Sequence, residues 1–242
     1  MASIQGFNTF AGTDLYTSQT VPEGLYVGQL VAGNQGKMFR YVKAGASALV
    51  PGNVVQSPAI DTQFNDLVVT AAVAIGDTVI GLTNGTTAVT AGELIGGTAV
   101  VSVTPGLGQE FTIVGNGAAG NGAALSITVD RPLRVALTTS SRITIRKNPF
   151  NGVIQSPATT LTGIPVGVAI YAIAAGEFGF VQTHGVAGVL SDNTSIIAGS
   201  AVAVPSGTAG ATTLDVAGLP KIGRAMQAAA SGKCIPVFLT LD

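Results

Sequence analysis

Short segments rich in Val, Ile, Thr and Ala recur along the chain, separated by glycine-centred turns. In order, they predict strands over 26–31, 37–42, 53–56, 67–73, 78–82, 99–103, 110–114, 125–129 and 142–146. Further strands are predicted over 165–173, 179–189, 200–204, 222–228 and 234–241. Turn signals lie between them at Gly33-Asn34-Gln35-Gly36, Thr83-Asn84-Gly85, Thr104-Pro105-Gly106, Ala175-Gly176 and Ser206-Gly207. Many short strands at a spacing of about 8–12 residues read as an all-β protein of sandwich or barrel modules with Gly-rich turns and little or no helix. β-branched side chains cluster in such segments because they pack well on a pleated surface.

The pattern within single strands sorts them further. Over 142–146, Arg142, Thr144 and Arg146 fall on one face and Ile143 and Ile145 on the other, as expected of a half-solvated strand. The run 166–173 is almost wholly apolar and reads as a central strand buried on both faces. One stretch is ambiguous. Residues 223–231 contain good helix formers and end at Gly232, which suits a helix stop. They also read as the first arm of a hairpin turning at Ser231-Gly232-Lys233.

Composition changes the picture in one respect. Hydrophobic residues make up 47% of the 242 and charged residues only 10%, 11 basic and 12 acidic. At usual frequencies about 60 charges are expected. A compact monomer of this size exposes roughly 10,000 Å², so each charge serves about 400 Å². That is sparse for a free surface, and the expectation is a surface rich in Thr, Ser, Asn and Gln or covered by other copies of the chain. The composition excludes a disordered chain. A net charge of −1 removes the global argument for nucleic-acid binding. Cys234 and His184 are single residues of their kind, so there is no internal disulfide, Cys-rich zinc site or His-rich cluster, and no cofactor is implied. The longest uncharged stretch, 148–176, is interrupted by Pro149, Pro157 and Pro165 and is not expected to cross a membrane. The start, Met-Ala-Ser-Ile-Gln-Gly, lacks the basic and apolar regions of a secretory signal, so a soluble protein made inside the cell is expected.

Residues 74–129 are a Gly/Thr/Ala-rich block with few charges. Residues 131–147 hold five of the eleven basic residues, Arg131, Arg134, Arg142, Arg146 and Lys147, with no acid inside the window. The organisation expected is an N-terminal arm over 1–20, a discontinuous β domain over 21–63 plus 151–242, and an inserted β domain over 64–150. The basic residues are candidate protein contacts. Nucleic-acid platforms interleave aromatic with basic residues, and the nearest aromatic here is Phe150.

The remaining candidates for chemistry are thin. Gly115, Gly117 and Gly120 spell G-x-G-x-x-G, but a strand-like segment follows where a dinucleotide site needs a helix, so a β–β loop is expected. His184 lacks a second histidine and a nucleophile motif, and reads as a strand-edge or interface residue. Cys234 stands beside Lys233, which can lower a thiol pKa, yet its neighbours look like a buried strand where it serves as a small hydrophobe. Asp61 and Asp66 are the closest acidic pair of note, without a metal-loop pattern. Asn84-Gly-Thr and Asn193-Thr-Ser match glycosylation sequons but read as ordinary turns. No catalytic residues are assigned, and the chain is expected not to be an enzyme.

Several stretches resemble structural proteins of tailed-bacteriophage particles. Phe39-Arg40-Tyr41-Val42-Lys43-Ala44-Gly45-Ala46, followed by Leu49-Val50-Pro51-Gly52-Asn53-Val54-Val55, is similar to an N-terminal segment of phage virion proteins. Gly167-Val168-Ala169, and then Ile173 through Gly185, resemble the core of small capsid decoration, or cement, proteins. Ala198–Val202 and Ile222–Met226 fit the same pattern, as does the apolar final strand. The resemblance covers 21–56 and 164–241, and the block 64–150 would be an elaboration. It implies an all-β, usually trimeric protein on the outside of the icosahedral shell, made in the host cytoplasm and bridging subunits of the major capsid protein. It implies no catalytic residues and favours the hairpin over the helix near the end; with the charge and proline arguments above, neither a nucleic acid nor a membrane is expected as a partner. A tail, fibre or spike component is the alternative within the particle, and a carbohydrate-binding or adhesion β module the alternative outside it.

Overall fold

The computed structural model describes residues 15–21, 24–192, 195–216 and 218–242. Most of the expected N-terminal arm, residues 1–14, lies outside the described residues, as does the Asn193 sequon. The protein is all-β, 43% strand and 3% helical, and among the described residues the helical part is confined to two 3₁₀ turns at Asn34–Gly36 and Thr62–Phe64. In chain order the strands are β1 (Leu30–Ala32), β2 (Met38–Ala44), β3 (Val54–Gln56), β4 (Leu67–Val68), β5 (Val79–Thr83), β6 (Thr98–Val103), β7 (Glu110–Asn116) and β8 (Ala124–Val129). They continue as β9 (Arg142–Arg146), β10 (Asn151–Gln155), β11 (Pro165–Ala169), β12 (Phe178–Ser191), β13 (Ala201–Ala203), β14 (Thr213–Leu214), β15 (Lys221–Ala225) and β16 (Lys233–Thr240).

The chain forms two compact units, residues 1–59 with 149–242, and residues 60–148. The second unit is a six-stranded antiparallel sheet in the order β4-β9-β6-β7-β8-β5. A bridge between Val69 and Leu82 joins its two end strands, so the sheet closes into a barrel and leaves no free edge there. Alternation does the rest. Ile143 and Ile145, Phe111 and Ile113, Leu125 and Ile127, and Ile80 and Leu82 all point inward into one apolar core.

The first unit is a ten-stranded sheet in the order β1-β2-β10-β3-β11-β12-β16-β15-β13-β14. It curls twice, and β12 makes both curls. Its first half pairs with β2, from Phe178↔Lys43 to His184↔Met38, which closes a ring of β2, β10, β3, β11 and β12. Its second half pairs with β16, from His184↔Thr240 to Ser191↔Lys233. A bridge between Ser191 and Thr212 closes the second ring through β15, β13 and β14. β3 and β11 form the wall between the two cores. Val54 and Val168 face one, while Val55 and Ala169 face the other. This is the two-sided burial that the run 166–173 predicts, although the strand itself ends at Ala169. A third cluster, Leu25, Val31, Phe39, Tyr41 and Phe180, covers the opposite side of β2 and β12.

The ambiguous stretch before residue 232 is a hairpin arm. β15 pairs with β16 through Gly223↔Leu239, Arg224↔Phe238 and Ala225↔Val237. The predicted strands over 26–31 and 67–73 shrink to three and two ladder residues, because a turn occupies Val27-Gly28 and only isolated bridges continue at Val69 and Val73. β10 and β14 are strands that the apolar pattern did not signal.

Candidate functional site

The basic window lies on the barrel of the second unit, where each side chain has different local partners. Arg131 pairs with Asp130 at 3.3 Å, donates to the Glu110 carbonyl and lies over the Phe111 ring. The backbone N–H of Arg134 is held by the Gln109 side chain. Arg142 donates to the carbonyls of Thr139 and Ser141 at 2.9 Å. Arg146 donates to the Asn65 side chain at 2.7 Å. Lys147 pairs with Glu93 at 2.9 Å and Asp61 at 3.7 Å, above the Phe64 ring. Burial of Glu93 would raise its pKa, but the Lys147 ammonium and the Thr90 N–H and hydroxyl outweigh this and hold it below the usual carboxylate range.

Arg142 and Arg146 share the outer face of β9 with Thr144, as the alternation requires. That face also carries an acid supplied by a distant turn. Asp66, in the left-handed region at φ 51°, accepts from the hydroxyls of Ser102 at 2.5 Å and Thr144 at 3.4 Å. A window without acids in sequence is therefore flanked in space by Asp61, Asp66 and Glu93. Arg134, Arg142 and Arg146 have no carboxylate in ion-pair range among the described residues, and Arg142 and Arg146 present guanidinium groups on one strand face.

The other candidates separate. The glycines at 115, 117 and 120 lie at the end of β7 and in the loop to β8, so a strand follows them and not a helix. Asn84 is buried and its amide donates to the carbonyls of Thr87 and Gly120, which makes its sequon a stapled turn. His Nδ1 of residue 184 lies 3.1 Å from the main-chain oxygen of Asp242, and its ring meets Phe238 edge-on at 5.3 Å. Cys234 corrects the expectation of a buried hydrophobe. It is exposed, because alternation along β16 turns Ile235, Val237 and Leu239 into the core and Cys234 outward. An open depression of about 460 Å³ is lined by Lys43, Ala44, Ala46, Asn151, Gly152 and Ala175, among others. Its one charged side chain lies over the Phe178 ring, and its lining holds no acid–base pair.

One feature escaped the reading of the sequence. The outer face of β12 and β16 carries Val186 and Phe238 directly opposite each other and well exposed. The alternation of 234–241 contains that signal, since a phenylalanine stands at an outward position. No family model matches the chain, and no curated protein or solved structure is significantly similar to it.

Proposed function

We propose that this chain is a non-enzymatic virion protein of a tailed bacteriophage, a cement protein that binds the outside of the capsid and bridges its subunits. The observation that carries this reading is the pairing of the two stretches that bear the resemblance. They are far apart in sequence yet neighbours in one sheet, with Phe39↔Gln182, Tyr41↔Phe180 and Val54↔Val168 in register. The stretches on which the reading rests are therefore neighbours in one sheet. Charge economy supports it. The isolated chain has 11,448 Å² of accessible surface and 23 charges, about 500 Å² for each, a surface suited to burial by neighbours.

The test uses particles that lack the protein. Added to them, the purified chain is expected to bind saturably and raise the temperature at which the shell releases its DNA. Arg142→Glu with Arg146→Glu is expected to lower occupancy at low salt and less so at high salt, each rim pair being worth about 0–1 kcal/mol. Absence of binding to shells, or binding to tails or glycans in their place, rejects the reading.

A further inference from the structure

We propose that Arg142 is a preformed seat for one carboxylate, an Asp or Glu side chain carried between apolar residues on a partner protein. It deepens the reading above, on which the partner's being a capsid subunit rests, by naming what the barrel face recognises and the residue that does so.

The two arginines of β9 are not equivalent. Arg146 is exposed, and both its terminal nitrogens are engaged, one by the Ile145 carbonyl at 2.8 Å and one by the Asn65 side chain at 2.7 Å. Arg142 is half-buried. Its bonds to the Thr139 and Ser141 carbonyls, both 2.9 Å, leave from the same nitrogen, Nη1. The Nε–Nη2 edge is without a partner among the described residues. Two parallel N–H groups on such an edge match the two oxygens of a carboxylate. The carbonyls already hold the guanidinium in place, so filling that edge orders little that is not already ordered.

The surroundings of Arg142 are apolar. In register it stands between Val68 of β4 and Val103 of β6, which are 39% and 40% exposed. Val100, another exposed residue of β6, stands opposite Thr144 on the same face. These valines would shield the charge pair from water once a partner is seated, and arginine is enriched at the desolvated centres of protein contacts. Arg146 has Thr98 and Asn65 about it instead.

Charge chooses the occupant. The same outer face carries Asp66, which accepts from Ser102 and Thr144, and Glu110, paired across from Val100. A nucleic-acid strand brings a phosphate about every 3.4 Å along its axis, so the phosphates next to one at Arg142 would meet those carboxylates. A single carboxylate flanked by uncharged residues meets only Arg142 and the valines. A second copy of this face is unsuited for another reason, since it sets Arg142 and Arg146 against their own kind. The occupant that fits is an acidic side chain on an otherwise uncharged surface of a different protein.

The experiment follows the arginine Nε–H resonances of the full chain by nuclear magnetic resonance. The probe is the blocked peptide acetyl-Val-Glu-Val-amide, with acetyl-Val-Gln-Val-amide, acetate and inorganic phosphate as comparisons. The Glu peptide is expected to move the Arg142 resonance saturably, together with the methyl groups of Val68 and Val103, and to bind at least threefold more tightly than acetate. The Gln peptide should leave them in place. Arg142→Lys keeps the charge but loses the fork, and should weaken the Glu peptide several-fold, read from the valine methyl groups. Arg146→Lys should change its affinity less than twofold. Equal shifts at Arg134, Arg142 and Arg146 would reduce the cluster to solvated cations and overturn the proposal. So would phosphate binding more tightly than the Glu peptide, equal effects of the two lysine variants, or no shift at Arg142. Movement of the Arg142 resonance on concentrating the chain alone would give the seat to a second copy and overturn it too. Capsid particles are absent from this assay, so failure here leaves the cement reading to its own test, and failure to bind shells leaves the carboxylate seat standing.

Discussion

The Arg40–Asp242 pair joins the start of β2 to the residues just beyond β16. Both guanidinium nitrogens of the fork engage the carboxylate, at 2.8 and 3.0 Å. Burial of Asp242 would raise its pKa, but Arg40 and a hydrogen bond from Thr183 outweigh this and hold it below its usual 3.8. A carboxyl with a depressed folded pKa adds stability that is present above its unfolded pKa and lost as pH falls through the folded value. The pair is partly exposed, so screening keeps it small. Asp242→Asn is expected to lower stability by about 0.5–1 kcal/mol at pH 7, and the difference from the unaltered chain to fade below about pH 4. Urea midpoints at neutral pH and near pH 2.5 check this. A difference undiminished in acid would refute the ionic origin.

Among the elements, β15 shows why a strand can require glycine without any unusual backbone angle. A Cβ on Gly223 would run into the Phe238 carbonyl oxygen of β16. That neighbour is backbone and cannot move aside without breaking the ladder. Gly223→Ala is expected to destabilise by about 1–3 kcal/mol, the range for forced overpacking. Gly117, in the β7–β8 loop, has open space where its Cβ would stand, and Gly117→Ala is expected to stay within about 0.5 kcal/mol. Denaturant midpoints of the two variants decide the matter, and equal effects would show that the close approach does not govern stability.

For the whole molecule, the two units have separate cores. The twenty buried apolar residues of the second unit all lie between Phe64 and Ile145. The 3.7 Å contact of Asp61 with Lys147 holds the two ends of that segment together. A closed barrel with its own core and adjacent ends has what independent folding requires. Residues 60–148 expressed alone are therefore expected to unfold in one cooperative thermal transition with a β-type circular dichroism spectrum. A chain that remains unfolded in dilute buffer would show that the barrel depends on the rest of the molecule.

Local periodicity determined much of this protein. Strand β9 stands at the residues that the alternation of Arg142 to Arg146 marks, and the buried wall strand β11 begins where the apolar run begins. Such signals survive because the direction of a side chain depends on its position in the strand and little else. Other features depend on which strands meet. β10 is a strand that the apolar pattern did not signal, and it forms because β2 and β3 pair with it on either edge. Asp61, Asp66 and Glu93 stand beside the basic window only because the barrel closes. Cys234 is exposed because the core lies on the other face of β16, and which face becomes core is settled by the strands that close the second ring. The sequence thus determined most of the strands, the alternation along them and the scarcity of charge. The tertiary structure alone decided the partners, since pairing joins residues too distant in the chain for any local pattern to register.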